Sequence, residues 1–272
     1  MRPRLSLALF VFAVLGAVSL LGLAPFLWSV LTSFKPLSEV DNPNPWPSVW
    51  RAHNYREVLD TIPYARYYAN SLFLAAWTTL LQCVTCSMAA FAFARMEWPG
   101  RDKMFQLYLG TLMIPGVVTL IPSYQLMIHL HLLDTYAGLI VPGAFSAFGT
   151  FMLRQFMFSI PSALDEAATI DGASQWVLFW DVILPLARPG LITLAIFTFL
   201  GNYGSFFWPL LIVKSEHMRT LPVGLMYFND KNGPQTNLIM AATMMSILPP
   251  LLIYIVGQKY LVRGIQIGAV KG

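Results

Sequence analysis

Six stretches of this sequence are apolar over about 20 residues or more, the length of helix that crosses the roughly 30 Å hydrocarbon core of a bilayer. A chain with this pattern has few alternatives to a bundle of membrane-crossing helices. The sequence therefore predicts an all-α membrane protein with six transmembrane helices. They are expected at about 7–33, 68–94, 104–128, 135–159, 189–213 and 238–257.

The composition agrees with a membrane protein. Hydrophobic residues make up 57% of the 272 residues and charged residues 11%, and the mean hydropathy is +0.61. A soluble domain of this length would need more polar surface. The net charge of +4 is spread along the chain, so membrane lipid is an expected partner and nucleic acid is not.

The first apolar stretch follows Arg2 and Arg4 and so resembles a signal peptide. Its apolar run is too long for one, and it lacks a convincing small-x-small cleavage site. We therefore expect it to be retained as the first transmembrane helix, with cleavage as the alternative. Pro25 is expected to interrupt or kink this helix.

The distribution of lysine and arginine predicts the orientation, because cytoplasmic loops carry the excess of these residues. Both termini and the segment 160–188 are then cytoplasmic, and the loops 34–67 and 214–237 are external. The loop 34–67 is dense in proline and asparagine, which favours turns and extended backbone over a long helix. The side assigned to the cytoplasm carries Arg2, Arg4, Arg95, Arg101, Lys103, Arg154, Arg188, Lys259, Arg263 and Lys271. The other side carries Lys35, Arg51, Arg56, Arg66, Lys214, Arg219 and Lys231.

Predicted helices two to six carry no acidic, basic or histidine side chain at mid-depth. Ion-coupled carriers and pumps generally need such groups, and a membrane-embedded enzyme would need a polar cluster at one depth. The sequence also lacks a phosphate-binding loop, and Cys83 and Cys86 lack the further ligands of a metal site. The sequence favours a transport subunit without catalysis or a cofactor of its own, driven by another protein.

The segment between the predicted fourth and fifth helices is amphipathic. Pro161 and Ser162 predict a helix start, and Asp165 completes a capping-box pattern. Glu166 adds a carboxylate to the first turn, where the helix dipole favours negative charge. Gly172 predicts a left-handed C-cap.

A second helical arm is predicted to follow this turn. Pro185 is expected to end or bend it before the fifth transmembrane helix. The result is a helix-turn-helix along the cytoplasmic surface, either a docking site for another protein or a plain interfacial connection. The residues at helical spacing in this arm are Trp176, Phe179, Trp180 and Ile183.

The same segment resembles the coupling-loop signature of the permeases of binding-protein-dependent ABC importers. The matching residues are Glu166-Ala167-Ala168, Gly172 and Val182-Ile183-Leu184-Pro185 at the spacing of that signature. Isoleucine is more frequent at the position of Val182. Further blocks along nearly the whole chain are similar to the MalG-like carbohydrate permeases, among them LTSFKP at 31–36, AAFAFARMEWPGR at 89–101, MIPGVVTLIPSY at 113–124, LLDTYAGLIVP at 132–142 and the ending VRGIQIGAVKG.

The resemblance implies the type I ABC importer permease fold in a bacterial plasma membrane. It also implies three protein partners, namely a second, MalF-like permease, a cytoplasmic ATPase dimer that binds ATP and Mg, and an external sugar-binding protein. The implied cargo is a sugar or oligosaccharide, with glycerol phosphate or a related polyol phosphate as the alternative. Contact with the ATPase is implied for Glu166, Ala167, Ala168, Asp171, Gly172, Leu184 and Pro185, and for the tail residues Gly268, Lys271 and Gly272.

Candidate substrate contacts lie near the end of the fifth predicted helix, because aromatic rings stack on sugar faces. Many relatives read Trp-Asn-Asp-Phe where this chain reads Tyr203-Gly204-Ser205-Phe206, which is a departure from the family pattern. Packing or lipid contact is the alternative role for these rings. The candidates are Asn202, Tyr203, Phe206, Phe207 and Trp208.

The predicted organisation has three parts. Residues 1–66 form the first transmembrane helix and an external loop. Residues 67–263 form the transmembrane core with the coupling loop at about 160–188, and residues 264–272 form a cytoplasmic tail.

Overall fold

A computed structural model describes residues 5–230 and 233–269 of the chain, which are mostly helical. Short 3-10 turns and one π-helical segment, Leu178–Ile183, connect or extend the α-helices. Two strands, β1 (Asn229–Asp230) and β2 (Gly233–Pro234), pair antiparallel. The α-helices are α1 (Leu5–Ser33), α2 (His53–Thr61), α3 (Tyr64–Arg95), α4 (Arg101–Gly110), α5 (Gly116–His129), α6 (Tyr136–Ile140), α7 (Ala147–Phe158), α8 (Ala163–Ile170), α9 (Gln175–Val177), α10 (Leu184–Leu186), α11 (Arg188–Tyr203), α12 (Phe207–Ile212), α13 (Leu221–Gly224), α14 (Thr236–Ser246) and α15 (Leu248–Ala269).

Among the described residues, three helical stretches are long and apolar enough to cross a membrane without a bend of more than 40°. They are Leu9–Ser33, Tyr64–Arg95 and Thr236–Lys259, and they match the first, second and sixth predicted spans. The number rises to six if each of three bent helix pairs counts as one span. Three to six candidate spans agree with the predicted membrane fold, and three of the six predicted spans correspond to bent helix pairs.

The bends are the main departure from the expected straight spans. In the third span the pair Arg101–Met113 and Gly116–His129 meets at 99°. Ile114 between them has extended backbone, with ψ of 115°, as expected of a residue that precedes a proline. Pro115 is therefore the local cause of the break.

The other two pairs bend at a serine helix cap and at a helix start that contains proline. The pair Tyr136–Ala144 and Ala147–Phe158 bends by 42°, where Ser146 has extended backbone and its hydroxyl caps α7 by accepting from Gly149 N at 3.0 Å. The pair Gln175–Leu186 and Arg188–Tyr203 bends by 75°. Pro189 lies in the first turn of the second helix of that pair, where its missing N–H costs nothing.

The chain divides into two compact units. The first consists of residues 1–65 and 224–248, and the second of residues 66–223 and 249–272. In the first unit, α14 packs against α1 and α2, and the Tyr64 hydroxyl donates to Ala242 O at 3.0 Å. Helix α1 continues through Pro25, which lies inside it.

The loop after α1 is ordered around a buried lysine. Lys35 is 1% exposed; its ammonium donates to Asn44 O at 2.7 Å and lies 4.7 Å from the Trp28 ring centroid. The Asn54 side-chain amide donates to the carbonyl oxygens of Ser33 and Lys35 at 2.8 and 2.9 Å. Since these bonds hold the chain in place, the loop is compact, and it contains the nine-residue helix α2 beside the turns that its prolines predict.

The second unit has two apolar clusters. One joins α3, α7, α11 and the segment from Leu178 to Ala187, and the other joins α3, α5, α6 and α12. The helices of the first cluster approach closely at small residues: a Cβ on Gly149 would lie 3.0 Å from both Cys86 Sγ and Leu194 Cδ1. Cys86 is 1% exposed, as expected of a free cysteine that packs as a small hydrophobic residue.

Asp134 holds two loops of the second unit together. Its carboxylate accepts hydrogen bonds from the backbone N–H groups of Lys214 and Ser215 at 3.0 and 2.9 Å, and from the Ser215 hydroxyl. These hydrogen bonds, those from Ser215 first, lower the pKa of the Asp134 carboxyl. Asp134 has a positive φ of 57°, which aspartate tolerates better than most residues.

The close approach of α7 and α11 gives a prediction. A Cβ added at Gly190 would lie 2.7 Å from Phe156 Cγ. We expect Gly190→Ala to destabilise the protein by about 1–3 kcal/mol, the usual cost of overpacking. The measurement is the thermal unfolding midpoint of the detergent-solubilised protein.

The matched control is Gly201→Ala on the same helix. A Cβ there would meet nothing within 4 Å in the described part of the chain, so the higher helix propensity of alanine should leave stability unchanged or raise it by up to about 1 kcal/mol. Equal midpoints for the two variants would contradict the packing argument.

Candidate functional site

The candidate site is the hairpin formed by α8, the turn at Gly172, and the arm that runs from α9 to α10. Helix α8 begins at Ala163 with Asp165 and Glu166 in its first turn, as predicted. The capping box is wrong: Ser162 has helical angles, φ −65° and ψ −22°, and makes no side-chain capping bond within the described residues. A capping side chain normally needs extended backbone at this position.

The Asp165 side chain has a different partner. Its Oδ2 lies 2.8 Å from Arg95 Nη1, at the C-terminal end of α3. Arg95 Nη2 donates to Ile160 O at 2.7 Å and to Met157 O, at the end of α7. One guanidinium therefore joins α3, α7 and α8, and it is 6% exposed.

The turn at Gly172 is as predicted. Gly172 has φ of +80°. Its N–H donates to Thr169 O at 3.0 Å, and the N–H of Ala173 donates to Ala168 O at 2.9 Å. This pair of bonds is the Schellman motif, which ends a helix on a left-handed residue and satisfies its last carbonyl groups.

The second arm is helical but not a regular α-helix. The Ser174 hydroxyl caps it by accepting from Val177 N at 3.3 Å, and the arm then widens into the π-helical segment. Pro185 lies just beyond that segment, inside α10. Because proline clashes with the carbonyl four residues before it in an α-helix, the wider turn accommodates it. The chain bends two residues later, at Ala187.

The two arms present one face to the core and one to the outside. Phe179 and Ile183 are buried in the cluster shared with α3 and α7, whereas Trp176 and Trp180 are 61% and 49% exposed. The four residues predicted to share a helical spacing are thus divided between two faces. Ile170 is also exposed, at 85%.

The predicted ATPase contacts lie on the outer face or at its edge. Glu166, Ala167, Asp171 and Gly172 are exposed. No ion pair engages the Glu166 carboxylate within the described residues. Ala168, Leu184 and Pro185 are half-buried, and Ala168 and Leu184 pack against the core cluster.

The candidate substrate residues differ in their contacts and in their exposure. Tyr203 is buried and stacks on Phe199 with ring centroids 5.9 Å apart. The Asn202 amide donates to Thr198 O in its own helix at 2.8 Å. Phe206 and Phe207 contact each other edge to face at 5.4 Å. Trp208 Nε1 donates to Gly138 O at 3.1 Å.

Trp208 also packs against the second core cluster, and Phe207 is 69% exposed. These contacts indicate a packing role for Trp208. Phe207 is the ring of this set that is exposed. Of the predicted tail, Gly268 lies on α15, which continues to Ala269. Lys271 and Gly272 lie outside the described residues.

Sequence reasoning missed Arg95 and Ile170 as parts of this site. Arg95 ends an apolar helix and is 70 residues from Asp165 in the sequence, so no local spacing pairs them. Ile170 is exposed because of the way α8 packs on the core. The hydrophobic pattern of the sequence does not specify which face of α8 packs inward.

Comparison with known families shows which family the chain belongs to. Residues 3–267 match the family described as the binding-protein-dependent transport system inner membrane component. This chain belongs to that family. It is therefore an inner-membrane transport component, as its apolar helices and the hairpin signature predicted.

Similar proteins share most of the length of this permease. The arabinooligosaccharides transport system permease protein AraQ of Bacillus subtilis is 33% identical over an alignment of 274 residues. The alignment covers 99% of this chain and 96% of AraQ. The AraQ of Halalkalibacterium halodurans is 31% identical, with 94% and 93% covered. The sn-glycerol-3-phosphate transport system permease protein UgpE of Yersinia enterocolitica is 32% identical over 232 residues, with 85% and 83% covered.

Solved structures show the same fold. One chain of a bacterial ABC transporter involved in the import of the acidic polysaccharide alginate superposes with a TM-score of 0.83 at 24% identity, covering 96% of this permease and 99% of that chain. A chain of the MetNI methionine ABC transporter gives a TM-score of 0.56 at 17% identity, covering 74% and 95%. The type I importer permease fold is thereby confirmed.

The left-handed turn gives a prediction for the hairpin. We expect Gly172→Val to destabilise the turn by about 1–2 kcal/mol, because a side chain resists positive φ. The space around Gly172 is open, with nothing within 4 Å of an added Cβ in the described part of the chain, so the cost is one of backbone conformation.

Hydrogen exchange of the amides in α8 measures this effect, and exchange should become faster in the Val variant. Gly172→Asn is the matched comparison, since asparagine tolerates the left-handed region. Equal protection of α8 in the Val variant and the unmodified protein would contradict the C-cap argument.

Proposed function

We propose that this permease is the non-catalytic subunit of an ATP-driven importer for a sugar or oligosaccharide, and that it forms half of the translocation pathway. The family match and the two AraQ relatives support this proposal. The uncharged predicted span interiors support an external source of energy. ATP and Mg would be bound by the partner ATPase, and this chain would bind neither.

The observation that carries the proposal is the exposed outer face of the hairpin. Its turn is fixed by Gly172, and its inner face is part of the membrane-domain core. The carboxylate of Glu166 is exposed beside the small side chain of Ala167, which allows close approach of another protein. A cytoplasmic ATPase that binds this surface can displace it, and the displacement can be transmitted to the spans that pack against its inner face.

The proposed assembly contains four kinds of partner: membrane lipid, a second MalF-like permease, a dimer of ATPase subunits and an external sugar-binding protein. A structure of the similar alginate transporter is described in complex with an alginate pentasaccharide-bound periplasmic protein, which supports the last of these. The C-terminal tail is proposed as a second contact with the ATPase.

The cargo proposed first is a carbohydrate, because the AraQ relatives cover nearly the whole chain. A glycerol phosphate or related polyol phosphate is the second candidate, since UgpE is 32% identical to this chain. Binding assays on the external binding protein, with arabinooligosaccharides and sn-glycerol-3-phosphate as competing ligands, separate the two.

The proposed topology places the hairpin and both termini in the cytoplasm, because the lysine and arginine excess lies on that side. We expect a single cysteine at Glu166, in a Cys83→Ser and Cys86→Ser background, to resist a membrane-impermeant maleimide added to intact cells. A single cysteine at Ser48, in the loop after α1, should react. Labelling of position 166 from outside the cell would refute this orientation.

The proposed ATPase contact makes a charge-dependent prediction at Glu166. An exposed ion pair is worth about 0–1 kcal/mol, so Glu166→Gln should be mild. Glu166→Lys adds repulsion to a basic partner residue and should cost about 2–5 kcal/mol if the contact is desolvated. The measurements are recovery of the ATPase in a pull-down and ATP-driven uptake.

The matched control is Glu97→Lys, which makes the same charge reversal at an exposed position between α3 and α4, outside the hairpin. It should leave ATPase recovery unchanged. An ATPase variant with the opposite charge reversal should rescue Glu166→Lys. Unchanged recovery and uptake with Glu166→Lys would remove this contact from the proposal.

A further inference from the structure

The guanidinium of Arg95 lies where three elements of the membrane domain meet. It belongs to the last residue of α3, it pairs with Asp165 in the first turn of α8 at 2.8 Å, and it donates to Ile160 O, just after α7, at 2.7 Å. The same nitrogen donates to Met157 O in α7. The helical half of the hairpin is thus joined to two spans through one side chain.

The chemistry of these contacts requires arginine. The guanidinium is a planar fork with five N–H donors, which can serve a carboxylate on one nitrogen and two carbonyl groups on the other. Met157 and Ile160 supply carbonyl groups at the end of α7, where helix carbonyl groups lack the regular α-helical N–H partner; Met157 O also accepts from the Ile160 N–H at 3.2 Å. A lysine has one nitrogen and cannot hold the same three partners in this planar geometry.

The ion pair is poorly built for stability alone. Arg95 is 6% and Asp165 22% exposed, so both charges lose much of their hydration. Arg95 Nε and Asp165 Oδ1 are also buried without a hydrogen-bond partner among the described residues. Apolar side chains of similar volume often stabilise such a site as well or better, so what the pair supplies is a defined position.

A second arginine at the same end of these helices provides a contrast. Arg154 of α7 is 13% exposed, donates to Phe93 O of α3 at 3.1 Å and lies 4.0 Å from the Phe105 ring centroid. It joins α7 to α3 and α4, and none of its described contacts is with the hairpin. Of these two arginines, Arg95 is the one that reaches α8.

We propose that Arg95 is a positioning residue for energy coupling: it makes α8, α3 and α7 move as one body when the ATPase displaces the hairpin. This inference rests on the proposed function. Without the guanidinium, α8 would be held by apolar contacts and by its covalent connections, and a displacement of its outer face would move α8 relative to α3.

The test measures whether α8 and α3 keep a fixed distance through the ATP cycle. Spin labels are placed at Ala163 of α8 and at Met88 on α3, which is 41% exposed, in a Cys83→Ser and Cys86→Ser background. Their distance distribution is recorded in the complete complex with ADP and after trapping with ATP and vanadate. ATP hydrolysis by the same samples is recorded in parallel.

We expect a narrow distribution that is the same in both nucleotide states for the unmodified chain and for the control Arg154→Gln. Arg95→Gln and Arg95→Lys should retain the ATPase subunits and continue to hydrolyse ATP. Their distributions should broaden and shift between the two states. The variant that combines Arg95→Gln with Asp165→Asn, which leaves no unpaired charge, should behave in the same way.

Three results would overturn the inference. One is a distribution in Arg95→Gln that stays as narrow and as constant as in the unmodified chain. Another is restoration of the narrow distribution in the doubly neutral variant, because Arg95 would then only neutralise Asp165. The third is loss of the ATPase subunits from Arg95→Gln alone, since the residue would then be needed for assembly. Loss of the ATPase from every sample, the unmodified chain included, contradicts the proposed function itself, and this inference falls with it.

Discussion

Hydrocarbon offers no hydrogen bonds to a peptide group, and this constraint governs the whole fold. Backbone that crosses a bilayer must satisfy itself within helices, and breaks are tolerated only where protein or water covers them. This permease has such breaks in three of its spans, the sharpest of them 99°. Around that break, Met113 and Val117 are 85% and 81% exposed. A broken span with an exposed surface fits a subunit that completes its structure within an assembly.

The hairpin differs from an ordinary connecting loop because its inner side belongs to the core. Phe179 and Ile183 are as buried as the residues of α3 and α7 that they contact. Close-packed interiors transmit displacement because they have little free volume, so the displacement proposed for the outer face would act on the packing of the spans. The glycine turn and the Ser174 cap define the junction between the two arms.

Local chemistry made much of this site predictable. Gly172 takes positive φ because the last turn of α8 needs a residue without a Cβ penalty, and its sequence position shows this directly. The carboxylates of Asp165 and Glu166 lie in the first helical turn, as the dipole favours. The capping box is absent because Ser162 has helical backbone angles, and Asp165 pairs instead with Arg95, which comes 70 residues earlier in the chain. Spacing rules describe neighbours along a helix and contain no information about such a pair.

The sequence by itself determined which segments enter the membrane, the helix-turn-helix of the hairpin and its glycine turn, because hydrophobic length and backbone preference are properties of neighbouring residues. Its motifs also predicted the family. Only the tertiary structure decided that Trp208 is committed to the core, that Ile170 is exposed, and that Arg95 joins three elements. Those outcomes depend on which surfaces meet when distant helices pack, and packing is a property of the whole fold.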